Sequence, residues 1–195
     1  MLAAVILAAG ESRRMGSPKA LLTHQGRPFL EHLTEVTRHP RIGLRRIVLG
    51  ANAQDIRSQL QLDPATVVVN PNWEQGQLSS LHAALRSLPE GATDGMVLCL
   101  VDHPLITARL VGELIENFYK SGKPIVLPRY QGKRGHPVIF SSTLYPELLA
   151  APVETGARAI VWRHTSEVLE VPTVEEGVVL NLNDPEAIQR ALGKS

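Results

Sequence analysis

The feature that most constrains the fold is a rhythm of short, continuously apolar runs alternating with stretches whose apolar residues recur at helical spacing. Leu2–Ala8, Arg46–Leu49, Thr66–Val69 and Met96–Val101 read as strands. Leu2–Ala8 and Met96–Val101 show no polar alternation, as expected of strands buried on both faces. Leu30–Arg38, Gln54–Leu62, Ser79–Leu88 and Thr107–Tyr119 read as helices, with Pro28 suited to a first turn and Thr107 to a cap. Strands separated by helices of roughly 10–15 residues predict a mostly parallel sheet in a three-layer α/β/α arrangement.

The second half is less regular. Pro124–Leu127, Val138–Phe140, Val168–Val171 and Val178–Leu182 read as strands, and Pro128–Gly135 as a basic, glycine-containing loop. Leu144–Ala150, Gly156–His164 and Asp184–Leu192 read as helices, the last with Pro185 at its first position and Gly193 past its end. No repeat, low-complexity tract or linker divides the 195 residues, so one domain spanning 1–195 is expected.

Composition narrows the function. Twenty Lys and Arg against nineteen Asp and Glu leave a formal charge of +1, which argues against nucleic-acid binding through a broad basic face. A small anionic ligand held by a few local cations stays compatible. The single cysteine, Cys99, excludes an internal disulfide and a cysteine-based metal cluster, and its apolar context suits a core position. The apolar start lacks the basic region and cleavage site of a signal peptide. No apolar run approaches the roughly 20 residues of a membrane helix. A cytoplasmic protein without a membrane partner is the expectation.

In open parallel sheets ligands bind beyond the carboxyl ends of the strands. There the first strand runs into Leu7-Ala8-Ala9-Gly10-Glu11-Ser12-Arg13-Arg14-Met15-Gly16-Ser17-Pro18-Lys19. Small residues let backbone approach a ligand, loop N–H groups can line an anion site, and Arg13, Arg14 and Lys19 add positive charge. The Gly10-to-Gly16 spacing lacks the Gly-Lys-Ser/Thr of a P-loop and the Gly-x-Gly-x-x-Gly of a dinucleotide turn.

This stretch closely resembles the signature of nucleotidyltransferases, and more narrowly that of the molybdenum cofactor cytidylyltransferases and their relatives. The resemblance runs through Asn70-Pro71-x-Trp73-x-x-Gly76-x-x-Ser79-Ser80-Leu81 and Leu100-Val101-Asp102-His103-Pro104-Leu105, where Gln is more usual than His103. It continues through Gly132–Val138, Gly156-Ala157-Arg158 and Val179–Glu186, and so covers the chain. It implies a Rossmann-like nucleotidyltransferase fold and Mg²⁺-dependent transfer of CMP from CTP to molybdopterin, releasing pyrophosphate. Arg14 and Lys19, with the Gly10 amides, would hold the triphosphate, and Leu7, Ala8, Ala9, Gly10 and Ser12 would contact the nucleotide. Arg14, Lys19 and Asp102 form the expected catalytic set. The Ala8-Ala9 pair fits the cytidylyl group, since guanylyl relatives usually carry Gly-Gly there. A molybdoenzyme or its chaperone would receive the product.

Asp102 follows a strongly apolar strand, so it is either a turn residue before Pro104 or a Mg²⁺ ligand; the ligand reading is preferred. Strand alternation places Val179, Asn181 and Asn183 on one face, making both amides candidates for the second ligand. The resemblance favours Asn183, although Asp is common there. Asp184 reads as the cap of the last helix. Trp73 either stacks on the acceptor's ring or covers core beneath a loop. Ser79, Arg134 and His136 are expected at the acceptor, while Lys133, Arg134 and His136 together also fit a solvated turn. The remaining histidines show no metal-ligand spacing. Two other functions remain: cytidylyl or uridylyl transfer to a sugar or polyol phosphate, and a non-catalytic nucleotide-binding cofactor-delivery module. Some relatives are oxidoreductases, a reading disfavoured by the missing dinucleotide fingerprint.

Overall fold

The computed structural model describes residues 1–12 and 16–192. Its elements, in chain order, are β1 (Leu2–Ala8), α1 (Phe29–Val36), β2 (Ile42–Leu49), α2 (Ala53–Gln59), β3 (Val67–Val69), α3 (Gln77–Ser87), β4 (Gly95–Leu100), α4 (Ala108–Ser121), β5 (Ile125–Tyr130), β6 (Val138–Ser141), α5 (Tyr145–Ala150), α6 (Arg158–Arg163), β7 (Val168–Pro172) and α7 (Pro185–Leu192). Short one-turn helices and a small hairpin, Thr23–His24 with Arg27–Pro28, fill the connections.

The seven strands lie in the order β7-β5-β6-β4-β1-β2-β3. β1 pairs in parallel with both β2 and β4, and β2 with β3, as the continuous apolar runs predict. Of these seven β6 alone is reversed, antiparallel to β4 on one side and to β5 on the other, and an eighth short strand, Lys133–Arg134, also pairs antiparallel with β5. Each side of the sheet carries its own core. Leu2, Ile6 and Ala8 of β1 pack with residues of α1 and α4, and Ala3, Val5 and Leu7 with residues of α3, α5 and α6. Every residue of β1 is buried, which explains a strand sequence with no polar position. The result is a mostly parallel, mixed α/β sheet covered on both faces.

The caps follow local chemistry. Thr107 accepts a hydrogen bond from the Leu110 amide at 3.2 Å, and the Asp184 carboxylate accepts one from the Ala187 amide at 2.8 Å. Asp184 is therefore a helix cap, as its Asp-Pro-Glu context suggested. No helix among the described residues is long and apolar enough to cross a membrane. Gly193 lies outside the described residues.

Two expectations for the second half need correction. Pro128–Gly135 is largely a hairpin: β5 continues to Tyr130, turns through Gln131 and Gly132, and returns as Lys133–Arg134. Both turn residues have positive φ, 46° and 82°, the requirement of a two-residue primed hairpin turn. Val178–Leu182 is not a strand. A one-turn helix occupies Glu176–Val178. The backbone then spends its hydrogen bonds on loops, the His136 amide donating to the Val178 carbonyl at 2.9 Å and the Leu182 amide to the Asp102 carbonyl at 2.8 Å. Its apolar pattern reflects burial, since Val178 and Leu182 are almost wholly enclosed. Gly177 allows the close approach, because a Cβ there would sit 2.1 Å from the Leu105 carbonyl oxygen.

Candidate active site

Parallel pairing brings the carboxyl ends of β2, β1 and β4 to one edge, with Ala8 opposite Leu49 and Leu7 opposite Leu100. The chain leaves β1 and β4 here on either side of the point where strand order reverses, the expected position for a ligand cleft. Three hydrogen bonds hold the edge together. The Val101 amide donates to the Leu7 carbonyl at 3.1 Å, the Ala51 amide to the Ala9 carbonyl at 3.2 Å, and the Asn52 side chain to the Glu11 carbonyl at 3.3 Å.

A cleft of about 730 Å³ opens between these ends. Leu7, Ala9, Gly10 and Ser12 form one wall, with Lys19, Asp102 and Asn183 beside them. Lys19 is oriented at both ends: its amide donates to Ser12 Oγ at 3.1 Å and its ammonium donates to Asn183 Oδ1. The Leu182–Asp102 backbone bond sets Asn183 near Asp102 although the two stand far apart in sequence. Asn183 therefore reaches the cleft by this backbone link and not by strand alternation. Asn181, the other candidate, lines a different cavity.

Several expected residues sit elsewhere. Ala8 points to the opposite core, packed with the α1 and α4 layer, so of the Ala8-Ala9 pair only Ala9 lines the cleft. Ser79 is a buried strut: its hydroxyl donates towards the Asn72 carbonyl at 3.0 Å and the Gly76 carbonyl at 2.7 Å, and accepts from the Asn70 amide at 2.9 Å. Its neighbour Ser80 lines the cleft in its place. Trp73 lies in this first cleft and not beside Arg134 and His136. Gly50 admits it, since a Cβ at Gly50 would stand 2.4 Å from the Ala9 carbonyl oxygen and 2.7 Å from Trp73 Cβ. Arg14 lies outside the described residues.

The charge of the cleft is informative. Among its described lining residues, Glu11, Glu74 and Asp102 are acidic and Lys19 is basic. A polyphosphate entering such a wall needs a compensating cation. Among the described residues no group of three or more His, Cys, Asp or Glu forms a metal cage. Of the oxygen donors in the cleft, the Leu182–Asp102 link joins the segments of the Asp102 carboxylate and the Asn183 amide, the Asn183 oxygen already turned towards a cation, the Lys19 ammonium. These hard oxygen ligands suit a divalent ion that draws its remaining ligands from phosphate and water.

A second cavity of about 750 Å³ adjoins the first, with Gln77 lining both. Arg134 and His136 line it, together with Arg129, Lys133, Arg158 and, as the single carboxylate among the described residues, Glu170. Glu170 bridges Arg134 at 2.7 Å and Arg129 at 3.2 Å. The His103 and His136 rings meet at 4.8 Å between centroids. Burial, reinforced by the neighbouring His103, lowers the His136 pKa to about 3, and burial likewise lowers that of His103. His136 is thus an uncharged imidazole at neutral pH. The sequence reading missed Gln77, Glu170, Arg129 and Gly50, of which only Gly50 carried a local signal, a glycine directly after a strand. His32 and His82 are structural, bonded to the Ile106 and Leu148 carbonyls at 2.9 and 2.8 Å.

A crook of small residues after β1, a carboxylate after β4 and two adjoining cavities on one sheet edge define a nucleotidyltransferase of the Rossmann-like α/β class. The profile of the MobA-like NTP transferase domain matches residues 4–168, and the chain belongs to that family. It is 32% identical to the molybdenum cofactor guanylyltransferase of Cereibacter sphaeroides, over 96% of this chain and 93% of that protein. It is also 32% identical to nicotine blue oxidoreductase of Paenarthrobacter nicotinovorans, over 80% of this chain and 79% of that one. Rv0371c of Mycobacterium tuberculosis H37Rv superposes with a TM-score of 0.82 at 29% identity, covering 98% of this chain and 97% of that chain. A manganese complex of Rv0371c superposes at 0.79, with 27% identity and coverage of 100% and 99%.

Proposed function

We propose that this chain transfers a nucleoside monophosphate, CMP by preference, from its triphosphate to the phosphate of a molybdopterin-type acceptor. The observation that carries this reading is the convergence of Lys19, Asn183 and Asp102 with the Gly10–Ser12 backbone in one cleft. An acceptor phosphate oxygen attacks the α-phosphorus of the NTP, a new P–O–P linkage forms, and the bond to the β-phosphate breaks to release pyrophosphate. The nucleophile is already ionised near pH 7, a phosphate monoester having a second pKa of about 6, so no general base is required. What the reaction needs is alignment and charge neutralisation.

Asp102 and Asn183 would hold Mg²⁺, which when bound neutralises triphosphate charge and polarises the phosphorus under attack. Lys19 donates to the triphosphate and stabilises the charge building on the departing pyrophosphate. The Gly10–Ser12 amides line the same tail, and Arg14 is assigned there by the family resemblance alone. Leu7 and Ala9 lie against base and ribose, and the Ala9 methyl, where guanylyl relatives usually have glycine, narrows the floor in favour of a pyrimidine. Arg134 and His136 face the acceptor in the adjoining cavity.

The test is a panel of the four NTPs with Mg²⁺ and molybdopterin, following pyrophosphate release. Turnover with CTP well above the other nucleotides is expected. Turnover with GTP alone would overturn the base assignment, and turnover only with a sugar or polyol phosphate would overturn the acceptor. Tight NTP binding without pyrophosphate release under any condition would make the chain a binding module.

A further inference from the structure

The acceptor expected from the sequence carries a flat ring as well as a phosphate, and the residue proposed to stack on that ring, Trp73, lies in the nucleotide cleft. The chain has only two tryptophans. The other, Trp162, is 60% exposed and lines the second cavity. α6 is short, but it places Arg158 and Trp162 one turn apart on one face, with the guanidinium carbon 4.8 Å from the ring centroid. A large aromatic surface left in water beside a polar cavity has a ready use as a stacking wall.

The charge of the same cavity supplies an independent argument. Arg129, Lys133, Arg134 and Arg158 face one carboxylate, Glu170, and that carboxylate is already shared between Arg134 and Arg129. His103 is buried and His136 partly buried, and the Nδ1 of each is enclosed without a hydrogen-bond partner. The cavity thus combines excess positive charge, an aromatic wall and two imidazole Nδ1 atoms without partners. A sugar phosphate would satisfy the cations but would leave the indole without a flat partner. A planar heterocycle bearing a phosphate satisfies both.

We propose that Trp162, backed by Arg158, is the stacking wall for the planar ring of an anionic heterocyclic acceptor, a pterin phosphate. Trp73 serves the nucleotide instead. The proposal rests on the acceptor assignment made above and deepens it. Trp162 sets acceptor affinity and leaves NTP binding alone, since it belongs only to the second cavity.

Two tryptophans give two indole N–H signals in a ¹⁵N-labelled protein, assigned by Trp73→Phe and Trp162→Phe. A 6-substituted pterin monophosphate is titrated into the full chain, and CTP with Mg²⁺ into a second sample. The pterin phosphate is expected to shift the Trp162 signal and CTP the Trp73 signal. Trp162→Ala should weaken pterin phosphate binding by about tenfold, Trp162→Phe should recover most of it, and CTP affinity should stay at the wild-type value in both. If pterin phosphate binds with the Trp162 signal unmoved and Trp162→Ala binds equally well, the stacking role is overturned while the acceptor class stands. If CTP binds and pterin phosphate does not bind at all, the acceptor class itself is overturned, and the stacking role with it.

Discussion

Asp102 stands at the meeting of two independent constraints. It follows a buried strand, and its backbone carbonyl receives the Leu182 amide that delivers Asn183. Substituting Asp102→Asn keeps that backbone link and the side-chain size, removing only the charge. Turnover should fall by several kcal/mol of transition-state stabilisation, with thermal stability unchanged. Lys19→Ala should weaken NTP binding and rate together, read as a raised KM and a lowered kcat. At this scale the sequence was legible where chemistry is local, as in the crook after β1 and Asp102. It was misleading where a side chain's direction decides. Ala8 and Ala9 look equivalent in a string, but alternation at the end of β1 sends Ala8 into one core and Ala9 into the other, where it also lines the cleft. Cys99 reads correctly either way: burial pushes its thiol up to about 12, so it is an inert core residue.

Between single residues and the sheet lie the segments that carry the cleft walls, and the Asn70–Ser80 stretch shows how one is built. Asn70 is buried, donates to the Ser79 and Ser80 hydroxyls at 2.9 and 3.0 Å, and accepts from the Asn72 amide at 3.0 Å. It thereby pins the turn that carries Trp73 to the start of α3. Asn70→Ala should cost about 1–3 kcal/mol, because the partners are left buried and unpaired, and should lower Tm by several degrees in a calorimetric scan. Strand runs such as Leu2–Ala8 were readable because burial on both faces leaves a continuous apolar signature. The β5 hairpin was missed although Gln131-Gly132 carries a turn signal, because its basic flanks resemble a loop. Val178–Leu182 was misread because an apolar β-branched run reports enclosure and cannot distinguish a ladder from a plug beneath the active-site loops.

Across the whole molecule, one cluster joins the helices of a single layer. His164, at the end of α6, contacts Glu147 of α5 and Glu167, each at 2.6 Å, and Glu147 also pairs with Arg163. Hydrogen bonds donated to Glu167 and Glu147 raise the His164 pKa above 6.5, and the bond from His164 with that from Arg163 lowers the Glu147 pKa below 4.5. The raised histidine stabilises the fold fully below about pH 6.5, and this contribution is lost as pH climbs through its folded value. The lowered carboxylate contributes above about pH 4.5 and loses its contribution as pH falls through its folded value. The cluster is therefore strongest between these limits. His164→Gln should destabilise the protein more at pH 5.5 than at pH 8, measured as Tm against pH; an equal loss at both would remove the charged histidine from the account.

The reversed strand β6 has a consequence for how two substrates meet. A strand running against its neighbours starts where they finish, so the chain entering β6 at His136 and the chain leaving β4 at His103 arrive at one rim and touch. Both cavities are thus attached to a single sheet, their spacing set by ladder hydrogen bonds. Slipping β6 by one residue would turn Ile139 from one core to the other and dislodge His136 at the same stroke, so the register of four residues, Val138–Ser141, sets the distance between the two cavities.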